Sequence, residues 1–109
     1  MVRTRYQALE IARQLRTELE TLYGTRLVGV WLFGSATRDE LTEDSDIDIA
    51  VILDEIRDRF SEHERTSDVG AQLGLEYDTL ISFFFASKAD FQTGRFAVHR
   101  EIRAEGIHV

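Results

Sequence analysis

Leu32-Phe33-Gly34-Ser35-Ala36-Thr37-Arg38, followed after seven residues by Asp46-Ile47-Asp48-Ile49-Ala50-Val51, decides how this chain is read. A Gly-Ser turn closes one apolar run, and two aspartates two positions apart open the next. Residues i and i+2 of a strand share a face, so Asp46 and Asp48 project side by side with Cα atoms about 6–7 Å apart. Ile47, Ile49, Val51 and Leu53 then point the opposite way, into a core. Two like charges about 7 Å apart at an effective dielectric of about 20 repel by about 2 kcal/mol. A divalent cation removes that cost and makes the pair a reaction centre.

The flanking sequence supports an α/β arrangement. Residues 3–23 read as an amphipathic helix, with Ala8, Ile11, Ala12, Leu15, Leu19 and Leu22 at three- and four-residue spacing. Thr4 suits its N-cap and Gly24 its stop. Residues 26–33 form a strand, apolar almost throughout, as in a strand buried on both faces. The acidic stretch 39–45 is a loop containing Asp39, Glu40, Glu43 and Asp44. Residues 46–53 give a second strand. Residues 55–74 give a helix weakened by Gly70 and Gly74, and residues 75–86 a third strand ending in Phe83-Phe84-Phe85. A helical turn over 88–92 and a helix over 95–105 close the chain. This order predicts a small mixed sheet with helices on one face, the other left open for a substrate.

Composition narrows the function. At 109 residues the chain reads as a single domain over 1–109. Thirteen basic against twenty acidic residues give a net charge of −7, which argues against direct DNA or RNA binding but not against a nucleotide arriving with magnesium. With no Cys there is no disulfide framework and no thiolate zinc site. No apolar run approaches the roughly 20 residues of a membrane span. The charged N-terminus lacks a signal-peptide core, so a soluble cytoplasmic protein is expected.

Gly34-Ser35, Arg38 and Ser45-Asp46-Ile47-Asp48 resemble the signature of the DNA polymerase beta-like nucleotidyltransferase superfamily, and the size resembles its minimal nucleotidyltransferases (MNT). The resemblance is strong over Leu27–Leu53. It extends more weakly to the C-terminus, where Phe96 to Ile107 is similar to the family's closing helix. One departure is Asp39, where many relatives carry Gly after the arginine. The resemblance implies the polymerase beta-like palm fold and a third carboxylate on a later strand. Asp78 is the expected third ligand, because strongly apolar residues follow it; Glu76, two residues earlier, is the alternative. Asp46, Asp48 and Asp78 would then hold two Mg²⁺ ions, or Mn²⁺, for attack of a hydroxyl on the α-phosphorus of ATP.

Gly34 permits close backbone approach to a phosphate, and Ser35 offers a hydroxyl and an N–H at the start of a helical turn. Arg38 either reaches a phosphate or pairs with Asp44. Asp90 falls after the third strand and reads as a surface residue. His63, His99 and His108 lack metal-ligand spacing and read as surface or packing residues. Trp31 and Phe83–Phe85 read as core or interface rather than base-stacking residues.

The chain has no room for the acceptor-gripping domain of larger relatives, so a partner must complete the site. In the family that partner is commonly a HEPN-domain toxin from the adjacent gene. The resemblance therefore implies an antitoxin that adenylylates a tyrosine of its toxin. The alternatives are a non-enzymatic antitoxin acting by occlusion and a small-molecule (antibiotic) nucleotidyltransferase. Phe83–Phe85, Phe91 and Phe96 form the candidate interface patch, for the partner or for a homo-oligomer.

Overall fold

The computed structural model describes residues 2–42 and 45–109. Helix α1 spans Arg5–Tyr23. Thr4 caps it reciprocally: its hydroxyl accepts from the Gln7 N–H, and the Gln7 side chain accepts from the Thr4 N–H. Ala8, Ile11, Ala12, Leu15 and Leu19 are fully buried, as their spacing requires. The last buried position is Tyr23 rather than Leu22, which is exposed.

Strand β1 covers Leu27–Phe33 and strand β2 covers Ile47–Leu53. They pair antiparallel, with Phe33 opposite Asp48 and Trp31 opposite Ala50. Helix α2, Arg59–Tyr77, carries the chain across to strand β3, Ile81–Ser87, which lies parallel to β2. Helices α3, Lys88–Thr93, and α4, Ala97–Glu105, lead to the short strand β4, Ile107–His108, which the periodicity did not indicate. The mixed sheet has the order β3-β2-β1-β4.

The boundary between α2 and β3 differs from the sequence expectation. Gly70 and Gly74 do not weaken or end the helix; they let it pack tightly against the loop and strand after it. A Cβ on Gly70 would stand 2.8 Å from the Phe83 ring, and one on Gly74 would stand 2.7 Å from the Thr79 carbonyl oxygen. The helix therefore runs through Glu76 to Tyr77, and the strand begins six residues later than residue 75.

Helices occupy both faces of the sheet, not one. On one face α1 packs over Val30, Leu32, Ile47, Ile49, Val51 and Leu53, joined by Leu73 of α2. On the other, Phe91 of α3 and Ile102 of α4 pack on Ala50, Ile52 and Ala86, with Trp31, Phe33 and Phe84 against them. Ala50 and Ala86 give these short helices close access to the sheet. Asp48 lies on this second face by alternation with Ala50 and Ile52, at the end where β2 begins.

Part of the interior face of α2 is polar. Glu62 is buried and accepts from the Tyr23 hydroxyl at 3.0 Å, while Arg26 and Arg65 pair with it at 2.8 and 3.3 Å. These contacts tie α1, the start of β1 and α2 together around a satisfied carboxylate.

Candidate active site

The site is built where β1 ends and β2 begins. The Ile47 N–H donates to the Leu80 carbonyl at 2.8 Å, fixing β2 to the approach of β3 just as the aspartate pair starts. Asp46 and Asp48 flank Ile47, which is fully buried; both acids are half-buried. Burial, and then the neighbouring charge of Asp46, push the Asp48 carboxyl above its ordinary range.

Gly34 joins the two halves of the motif physically. Its φ is +76°, and a Cβ there would lie 2.2 Å from Asp48 Oδ2. The bare Cα is what lets the turn sit against the carboxylate. Residues Gly34–Arg38 continue as a 3-10 turn, held by the Thr37 hydroxyl donating to the Gly34 carbonyl at 2.7 Å. Asp39 ends that turn in the left-handed region, at φ 56° and ψ 37°, which explains why glycine suits the position. Aspartate is among the non-glycine residues that tolerate it, and here it gains a second role. Its carboxylate accepts from the Arg5 N–H at 2.9 Å, at the positive end of α1.

Arg38 meets Glu40 at 3.3 Å and Glu105 at 3.4 Å, linking the turn to the end of α4. The pairing with Asp44 considered from sequence, and the Glu43 and Asp44 part of the acidic loop, lie outside the described residues. Asp90 pairs with Arg95 at 3.4 Å, as a surface residue does. His63 packs edge-on against Phe85, and His108 stacks on Trp31. His99 is buried, and its Nδ1 accepts from the Phe96 N–H at 3.1 Å. Burial holds its pKa below the ordinary imidazole value.

The third carboxylate is a correction. Asp78 is not on a strand beside the pair. It is the left-handed C-cap of α2, at φ 52°, on the lip of the groove between α2 and β3. Glu76 is an exposed helical residue. Among the described residues no three His, Cys, Asp or Glu side chains come together to hold a metal. The position beside Asp48 on β3 is Ser82. Its signal in the sequence was a lone hydroxyl within Ile81-Ser82-Phe83-Phe84-Phe85, legible only once the strand start was known.

The donor set nevertheless suits a hard cation. Mg²⁺ is commonly held by one or two carboxylates, with water and substrate phosphates completing its shell. Asp46 and Asp48 supply that pair, with the Ser82 hydroxyl as a neutral neighbour.

A mixed sheet whose central strand opens with paired aspartates, set against a Gly-Ser turn from the preceding strand, defines a nucleotidyl-transfer class of fold and site. The chain belongs to the nucleotidyltransferase domain family, whose family model matches residues 12–104. It is 29% identical over 76 residues to a putative protein adenylyltransferase of Methanocaldococcus jannaschii, covering 70% of this chain and 76% of that one. It is 39% identical over 66 residues to the protein adenylyltransferase MntA of Thermococcus cleftensis, covering 61% of this chain and 65% of the relative. In fold it is similar to two crystal structures of mutants of the toxin–antitoxin MntA–HpeT. The first has a TM-score of 0.59 at 16% identity, covering 87% of this chain and 69% of that one. The second has a TM-score of 0.57 at 22% identity, covering 89% and 70%.

Proposed function

We propose that this chain transfers AMP from ATP to a hydroxyl of a partner protein, a tyrosine of a HEPN-type toxin, and so acts as the toxin's antitoxin. The observation that supports the reading is the fit of the Gly34 turn against the Asp48 carboxylate, which only a residue without a Cβ allows. Two relatives named as protein adenylyltransferases support the direction of transfer. The fold likeness to MntA–HpeT is compatible with a toxin as partner.

In this reading Asp46 and Asp48 hold Mg²⁺, or Mn²⁺, on the triphosphate. Asp46 and Asp48 would hold the ion so that it neutralises phosphate charge while the acceptor hydroxyl, losing its proton, bonds to the α-phosphorus and pyrophosphate leaves. Gly34 and Ser35 orient the phosphates through backbone and hydroxyl groups. Arg38 is available to a phosphate because its present ion pairs are exposed, and such pairs contribute only about 0.2–1 kcal/mol. Asp78 leaves the proposed metal set.

Ser82 in place of a third acid favours a second reading, in which the chain neutralises the toxin by occlusion. Mass spectrometry of the neighbouring gene's product, incubated with this protein, ATP and Mg²⁺, separates the two. A gain of one AMP that disappears in Asp48→Asn supports transfer. An unmodified product in a stable, neutralised complex supports occlusion.

A further inference from the structure

Resting on the nucleotide reading, we propose that Phe96, at the exposed end of the row Phe84–His99–Phe96, is the ring on which the nucleobase stacks, with Phe84 and the buried His99 supporting it from the core. The direction in which a nucleotide must lie places it there. Asp48 has one neighbour on each side in the sheet: Phe33, leading into the Gly34–Ser35 turn, and Ser82 on β3. The turn lies against the carboxylate from the β1 side, and the proposed function sets the phosphates on that turn. Phosphates on that side leave the sugar and base to extend over β3.

On that side the apolar run Phe83-Phe84-Phe85 divides. Phe83 packs with the α2 face core and Phe85 is buried in it. Phe84 turns to the face that carries Asp48 and Ser82. From Phe84 the rings continue without a break. Phe33 lies 6.3 Å from it, His99 5.7 Å from it, and Phe96 5.6 Å from His99. These separations are those of contacting aromatic rings.

The row runs from half-buried Phe84 through His99, which is buried, to Phe96, which is 55% exposed. An exposed phenylalanine ring here is not forced by packing. Its place in the helix cap is held by its backbone N–H, which donates to His99 Nδ1, so the cap does not need the exposed ring. The Arg95 guanidinium lies over the Phe96 ring at 5.2 Å, so a base stacking there meets a cation as well as the ring. A planar, π-faced ligand matches this surface, and stacking needs no base-specific hydrogen bonds.

The test compares calorimetric affinities for Mg·ATP and Mg·tripolyphosphate, the second being a phosphate chain without sugar or base. Phe96→Ala should weaken Mg·ATP by about 5- to 140-fold, the range for losing one base–aromatic stack, and leave Mg·tripolyphosphate unchanged. Phe96→Tyr should restore ATP affinity. Phe84→Leu should act in the same sense. Equal ATP affinity in the parent and Phe96→Ala, or equal losses for both ligands, overturns the subsite. Asp48→Asn should weaken both ligands. A parent that binds neither ligand overturns the nucleotide reading itself, whereas one that binds both with no contribution from Phe96 overturns the subsite alone.

Discussion

Replacing Gly34 by alanine tests the geometry at its tightest point. The substitution has two separable costs. The first is conformational: φ of +76° in a residue with a Cβ costs about 1–2 kcal/mol. For a domain of this size that is a fall of about 4–10 °C in melting temperature. The second is positional. The new Cβ would stand 2.2 Å from Asp48 Oδ2, where ordinary C···O contacts lie near 3.3 Å, so the carboxylate must retreat by about 1 Å. Displacements of that order cost about 100-fold in rate. Gly24→Ala supplies the control. Gly24 also has a positive φ, +57°, but nothing stands within 4 Å of the added Cβ. It should lose about 1–3 kcal/mol of stability and keep its transfer rate. The assay is thermal unfolding of both variants, with transfer of label from ATP to the partner measured well below either melting point. Gly34→Ala transferring at the parental rate, or Gly24→Ala losing transfer as steeply, would refute the claim that the turn sets the Asp48 carboxylate.

Asp48→Asn should raise metal-free stability at neutral pH by about 1 kcal/mol or less for a half-exposed, screened pair, and the melting temperature with it. The sign follows from a folded-state pKa above the ordinary value: the charge costs stability at high pH, and the cost fades as pH falls through the raised pKa toward 3.8. The variant should show neither that trend nor any rise in melting temperature with Mg·ATP, measured by calorimetric scanning. Ser82→Asp should add a third acid beside Asp48, lowering metal-free stability and tightening Mg²⁺ binding in a titration, whereas Asp78→Asn and Glu76→Gln should leave Mg²⁺ binding unchanged. His99 has a folded pKa below the ordinary 6.5, so stability should fall as pH drops from 6.5 through that lower value, by at most about 1.4 kcal/mol per pH unit. His99→Gln should flatten that slope in melting curves taken between pH 7 and pH 5.

The elements legible from sequence were those governed by local chemistry. The α1 stripe and its Thr4 cap come from helical spacing and from one hydroxyl reaching the Gln7 N–H. The face of Asp48 comes from strand alternation within β2, and Asp46 stands one residue before that strand. The Gly-Ser turn and its place before the acids were likewise visible, and so was the mixed sheet.

Long-range contacts decided the rest. Gly70 and Gly74 look like helix breakers in a window of neighbours; only their fit against Phe83 and Thr79 shows that they keep α2 running to Tyr77. That one packing fact moves Asp78 off the strand and puts Ser82 beside Asp48. The aromatic run reads as one patch in sequence, yet the pleat sends Phe83 and Phe85 one way and Phe84 the other, while α3 carries Phe91 onto the second face of the sheet. Helices on the second face could not be read from periodicity, because the small Ala50 and Ala86 that admit α3 and α4 look like any strand residues until the sheet register is set. The identity of the two acids was written locally; which third side chain stands beside them depended on where a helix later in the chain stopped, and only tertiary packing fixes that.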